Sequence, residues 1–142
     1  MFQTTVTLPA YPRGFHLITA PIEKAVAVSG VTTGLAHLFL QHTSASITIN
    51  ENADPSVRRD MERFFTDITD GKPYYVHTYE GDDDMPAHIK SVLLSTSLTI
   101  PVTNGRLNLG TWQGIYLGEH REHGGNRKIV VTVCCSQPQS FS

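Results

Sequence analysis

The sequence predicts an α+β fold with a mainly antiparallel sheet and two or three helices, and three observations carry that prediction. Short runs rich in Thr, Val and Ile outnumber the helical patterns. Helices and strands do not alternate as a doubly wound sheet requires, and the later strands come as hairpins. With 142 residues, no internal period and no linker rich in Pro, Gly or Ser, the chain is expected to be one domain spanning 1–142.

Residues 3–8 and 14–19 read as an antiparallel pair around a turn marked by Pro9, Pro12 and Gly14. Pro21 suits a first helical position, Ile22, Ala25, Val26 and Ser29 follow at helical spacing, and Gly30 offers a stop. Residues 35–40 and 46–50 are dense in β-branched or large apolar side chains and form one bent strand or two, joined through residues 41–45. A helix is expected from residue 55 to about 68, with Val57, Met61, Phe64, Phe65 and Ile68 on one face, charged residues on the other and Asp54 as N-cap. A second starts near Pro86, with Ile89, Val92 and Leu93 facing inward and Asp82, Asp83 and Asp84 at its dipole's positive end. Residues 98–103 and 106–109 flank Asn104-Gly105, whose preference for positive φ fits a two-residue hairpin turn. Residues 112–117 and 128–135 are expected as a final strand pair around a polar loop.

Eleven Lys and Arg against thirteen Asp and Glu give a net charge of −2, which excludes a long-range field drawing the protein onto nucleic acid or an anionic membrane. The N-terminus lacks the basic start and apolar core of a signal peptide, and no run approaches the ~20 apolar residues of a membrane span, so a cytoplasmic location is expected. Cys134 and Cys135 are adjacent in an apolar run and read as structural thiols, not a redox pair.

Three segments concentrate chemistry: His42-Thr43-Ser44-Ala45-Ser46 with Glu51, the stretch from His77 to His88, and the loop from Glu119 to Arg127. The chain carries no Walker loop, dinucleotide fingerprint, zinc cysteine pattern or nucleophile elbow. The middle segment packs two imidazoles and four carboxylates into twelve residues. Imidazoles suit zinc, whereas carboxylates with open water positions suit magnesium bridging a pyrophosphate. The same aspartates also read as caps of the following helix, which is their commoner use. Thr43, Ser44 and Ser46 offer hydroxyls either to a phosphate or to local backbone groups. Arg127 stands beside Gly124-Gly125, where backbone N–H groups can approach an anion. Trp112 either stacks on a heterocycle or packs in the core.

Taken with Glu51-Asn52-Ala53-Asp54-Pro55, His77-Thr78-Tyr79-Glu80-Gly81, Ala87-His88, Leu109-Gly110-Thr111-Trp112-Gln113 and Gly124-Gly125-Asn126-Arg127, the first of these motifs resembles the YjbQ family over nearly the full length. The resemblance implies a sandwich-like α+β fold, a homotrimer, and a secondary thiamine-phosphate synthase activity. That activity joins hydroxymethylpyrimidine diphosphate to a thiazole phosphate and releases pyrophosphate. It further implies one cleft in which His42, His77, His88, Glu51 and Glu80 are catalytic. Ser44, Ser46, Trp112 and Arg127 would bind a small phosphorylated substrate there. A divalent ion, Mg or Zn, would sit on His42, His77 and His88, with Asp82 as an alternative ligand, and no organic cofactor is expected. Which of Asp82, Asp83 and Asp84 faces the cleft stays open, and His120 and His123 rank below the other histidines. A non-catalytic trimer binding a metal or small anion, and a metal-dependent hydrolase, are the alternative readings.

Overall fold

The computed structural model describes residues 1–135 and consists of two antiparallel sheets and three helices. The larger sheet has the order β1-β8-β3-β5-β6, formed by Phe2–Thr7, Lys128–Cys135, Thr33–Leu40, Ser97–Thr103 and Arg106–Leu107. The smaller is β2-β7-β4, formed by Gly14–Leu17, Gln113–Glu119 and Ala45–Glu51. Strict alternation aims each strand: Ala36, Leu38 and Leu40 of β3 are buried, whereas Leu35, His37 and Phe39 are not. The inner faces of both sheets meet in one core, where Leu38, Ile129, Val131 and Val133 lie with Ile47, Ile115 and Leu117. Helix α1 (Thr19–Ser29) adds Ile22, Ala25 and Val26 to that core. It ends where Gly30, at φ 70°, takes the left-handed conformation that glycine adopts without steric cost.

The pairing differs from the sequence expectation at both ends of the chain. Strand β1 pairs with β8, not β2, and β2 pairs with β7. Likewise β7 and β8 belong to different sheets, so the loop between them crosses from one to the other. Residues 35–40 and 46–50 are two strands, one in each sheet. Local pattern marks a strand without naming its partner, and consecutive strands that switch sheets defeat the nearest-neighbour assumption. The Asn104-Gly105 hairpin forms as expected, with φ of 53° and 79°. Helix α2 (Pro55–Thr69) is capped by Asp54, whose carboxylate accepts from the Ser56 N–H at 2.9 Å. Cys134 is a free, half-buried thiol, and the expectation for the Cys135 side chain lies outside the described residues.

Helix α3 (Asp84–Leu94) begins two residues before Pro86 and faces the opposite way from the expected one. Its buried residues include Asp84, Ala87, Lys90 and Ser91, while Val92 and Leu93 are exposed. The spacing of 84, 87 and 91 follows one helical face. That face lies against the small sheet, whose covered side is polar: Ser46 Oγ lies 2.8 Å from His120 Nε2, and Tyr116 is fully buried. Lys90, also fully buried, has Nζ 3.0 Å from Asp70 Oδ1 but not aligned as a hydrogen bond. Asp70 in turn pairs with Arg13 at 2.6 Å, and Arg13 with Glu62 at 3.0 Å. A polar stripe on α3 is therefore what the polar side of β4 and β7 requires.

In this layer, burial together with the Lys90, Arg13 and Arg127 cations pushes His120 down to about 3, against the opposing pull of Asp70. The unfolded chain takes up a proton on this side chain below about pH 6.5 that the folded chain refuses until about pH 3. Stability from this group is thus complete above the unfolded value and falls as pH drops through that window. Urea denaturation at pH 7 and pH 4.5 is expected to show a loss for the native chain that His120→Gln reduces by about 2–3 kcal/mol. An identical pH slope in the variant would contradict the assignment.

Candidate active site

At the start of α3 the main chain turns out of an acidic loop, and Asp84 enters the fold with only 1% of its surface exposed. A buried carboxylate demands donors or cations on both oxygens. Oδ1 accepts from Arg121 Nη1 at 2.8 Å. Oδ2 lies 2.8 Å from His77 Nε2 and 3.2 Å from His88 Nε2. The two rings stand 5.4 Å apart, and one ligand atom from each of the three residues falls within 4.8 Å of the others.

The tautomer of His88 sharpens this picture. Its Nδ1 lies 2.7 Å from the Thr43 carbonyl oxygen, which only accepts, so Nδ1 carries a hydrogen. In the neutral ring Nε2 then presents a lone pair to the carboxylate, a contact that is stable only with a hydrogen or a cation between the atoms. A backbone carbonyl fixing one ring nitrogen leaves the other, facing a carboxylate and a second imidazole, able to take a metal ion. The donor set of two imidazoles and one carboxylate fits a divalent transition ion such as zinc better than magnesium, which prefers an all-oxygen shell.

Arg121 braces the acidic loop around this centre. Its Nε reaches Asp83 Oδ2 at 3.1 Å and its Nη2 donates to the Glu80 carbonyl at 2.7 Å. Asp83 also accepts from the Glu122 N–H at 2.8 Å. Burial works against ionisation of Asp83, but these donors outweigh it and hold the carboxyl below its ordinary value.

Beside the centre an open cleft of about 930 Å3 is lined by His42, Thr43, Ser44, His88 and Arg127, with Phe39, Leu40 and Val92 as its apolar wall. Arg127 is 4% exposed and paired in a fork with Glu119, itself fully buried, at 2.8 and 2.6 Å. Its Nη2 also donates to Ser44 Oγ at 3.0 Å and to the Ser44 carbonyl at 3.2 Å. The carboxylate of Glu119 occupies the space where a Cβ on residue 124 would sit, so Gly124 is required for the pair to close. Burial first, then the nearby Arg127 and Lys128 cations, lowers His42 from its ordinary value against the pull of Glu119.

Of the expected site residues, His77 and His88 meet at the metal-type cluster, and His42, Ser44 and Arg127 line the adjoining cleft. His42 does not join the cluster, because its Nε2 is taken by the Lys128 N–H at 2.8 Å. Asp82 does not join it either, and the carboxylate that does is Asp84. Glu80 stays on the rim, its carboxylate 4.0 Å from Arg121 Nη1. Ser46 lies outside the cleft, fully buried beneath α3 with its Oγ 2.8 Å from His120 Nε2. Glu51 and Trp112 lie outside the cleft, at the far end of that sheet: Ala45 pairs with Glu119 while Glu51 pairs with Gln113. Seven residues of strand separate the two ends by about 20 Å. Asp84 was one of the three acids left open in the sequence, and Arg121 and Glu119 lay in the third segment without being singled out. The 84–88 spacing, which stacks two ligand types one helical turn apart, was the available signal for Asp84.

The family model described as UPF0047 protein YjbQ-like matches residues 4–136. UPF0047 protein YjbQ of Salmonella typhimurium is 59% identical over 133 residues, covering 93% of this chain and 96% of that protein. UPF0047 protein YugU of Bacillus subtilis is 44% identical and covers 72% of this chain and 76% of that protein. Among solved structures, an uncharacterised conserved protein of the same family from Clostridium acetobutylicum superposes with a TM-score of 0.83 at 41% identity, covering 92% of this chain and 99% of that one. A YbjQ-like protein of unknown function from Sulfolobus solfataricus gives 0.86 at 25% identity, covering 95% and 97%.

Gly124→Ala is expected to force Glu119 away from Arg127 and cost about 3 kcal/mol or more, the usual consequence of breaking a buried ion pair. Chemical denaturation reads this directly, and an unchanged midpoint would show that the loop can move aside.

Proposed function

From the premise that this chain belongs to the YjbQ-like UPF0047 family, we propose that it is a metal-assisted transferase acting on small phosphorylated metabolites. The observation that carries this reading is the sharing of His88 between the His77–Asp84–His88 cluster and the cleft that holds His42 and Arg127. A divalent ion held by His77, Asp84 and His88 would supply Lewis acidity toward phosphate oxygens. The chain's own groups do the rest. Arg127, fixed by Glu119, directs its remaining N–H groups into the cleft, and the hydroxyls of Thr43, Ser91 and Thr96 stand by for further oxygens. Phe39, Leu40 and Val92 offer an apolar wall against which a heterocycle can lie.

The specific reaction proposed is formation of thiamine phosphate from hydroxymethylpyrimidine diphosphate and a thiazole phosphate. A carbon–oxygen bond to the pyrophosphate breaks, a carbon–nitrogen bond forms, and negative charge gathers on the departing pyrophosphate. Stabilising that charge is the main task of such a site. Supporting the choice are the neighbouring cation-type centre and anion-directed arginine, and a cleft large enough for both rings. A second reading, hydrolysis of a phosphate ester, is favoured by the three-residue donor set, since catalytic metal sites keep a position open for water.

The assembly is proposed to be a homotrimer. Phe64 and Ile68 of α2, Leu93 of α3, and Tyr74, Val76 and Tyr79 between those helices are exposed apolar side chains that a neighbouring copy would cover. A cytoplasmic location is proposed with it, in keeping with the free Cys134. Among the described residues no helix is long and apolar enough to cross a membrane.

Purified protein stripped by a chelator and reloaded with zinc is expected to make thiamine phosphate from the two substrates, and His88→Ala to lower the rate at least about tenfold. Release of phosphate without coupling would favour the hydrolase, and binding without turnover would leave a non-catalytic module. Light scattering on a sizing column is expected to give three times the chain mass, and a monomer would remove the trimer.

A further inference from the structure

Two hydrogen-bond donors meet in the cleft with no acceptor between them. His42 Nε2 receives the Lys128 backbone N–H at 2.8 Å, so in the neutral ring Nε2 holds the lone pair and Nδ1 holds the hydrogen. That Nδ1 lies 3.4 Å from Arg127 Nη1, a nitrogen that can only donate. The guanidinium cannot swing away, because Nε and Nη2 are committed to Glu119 and Ser44. The imidazole cannot flip without stranding the Lys128 N–H. Two fixed donors facing one another repel, and an acceptor seated against both removes the repulsion.

We propose that His42 Nδ1–H and Arg127 Nη1–H form a preorganised oxyanion site that takes the phosphoryl group of the substrate. Each donor directs a hydrogen to oxygen of the same group, and the positive charge of Lys128 is also felt at His42. A phosphoryl group fits better than a carboxylate, because the cleft lining also includes Thr43, Ser91 and Thr96, whose hydroxyls add more donors than two oxygens can use. Glu119 lies on the opposite edge of the guanidinium, where it orients the fork and leaves Nη1 free for the ligand. Glu119 is thereby a positioning residue, and His42 is reassigned from metal ligand to anion donor. The proposed site rests on the metal-assisted reading only for its placing within a substrate cleft, because it binds through protein groups alone.

The test uses chelator-treated protein, so that failure of the metal centre and failure of the anion site are separable. Calorimetry with inorganic phosphate and with pyrophosphate is expected to show one site per chain, weakened about tenfold or more by His42→Ala. His42→Gln is expected to recover much of the loss, because its amide can accept from the Lys128 N–H and still donate to the anion. Nitrogen NMR of the imidazoles is expected to show His42 with hydrogen on Nδ1, and phosphate to shift that resonance while leaving exposed His37 unmoved. Equal affinity in His42→Ala, acetate binding as tightly as phosphate, or an unmoved His42 resonance at saturating phosphate would each overturn the proposal. Phosphate binding without any zinc binding would sustain the anion site and defeat the metal-assisted reading instead.

Discussion

The buried carboxylate of Asp84 is the constraint around which this end of the molecule is organised. With 1% of its surface exposed, it must be answered by donors from several elements at once. Arg121 comes from the crossing between the two sheets, His77 from the loop after α2, and His88 from one turn further along α3. Removing that charge would leave the arginine and both imidazoles without a common partner, and the acidic loop tied to the β7–β8 connection only through Asp83 and the Glu80 carbonyl. The local fold and the candidate centre are thus one interaction viewed at two scales.

A second buried charge, Arg127 on Glu119, performs the corresponding task on the other wall of the cleft. Both arginines belong to the segment that carries the chain from the small sheet to the large one. This crossing is where strand pairing ends and backbone groups are free, so side chains there can serve a ligand without breaking a ladder. The polar stripe of α3 continues the same theme inward, through Lys90, Asp70 and Arg13, and explains why this helix leaves Val92 and Leu93 outside. Leu93 on that outer surface is then available to a neighbouring copy.

Much of this was legible from the sequence where the signal is local. Asn104-Gly105 announces its hairpin because two positive φ angles leave few other residue choices, and Asp54 announces α2 because its carboxylate reaches the Ser56 N–H. His77 and His88 stand out by density alone. Strand partners were not legible, since β1 and β2 obey the same alternation whichever sheet receives them. The inner face of α3 was misread because apolar periodicity assumes an apolar surface opposite, and here the opposing layer contains Ser46, Tyr116 and His120. Glu51 and Trp112 share motifs with the site in sequence yet lie a strand's length from it, a separation that only the register of β4 and β7 reveals.

The most direct measurement is a crystal structure of zinc-soaked protein with anomalous scattering recorded at the zinc edge. A single strong peak about 2.0–2.2 Å from His77 Nε2, His88 Nε2 and Asp84 Oδ2 is the result this account requires. A peak on His42, or none near Asp84 at saturating zinc, would contradict it.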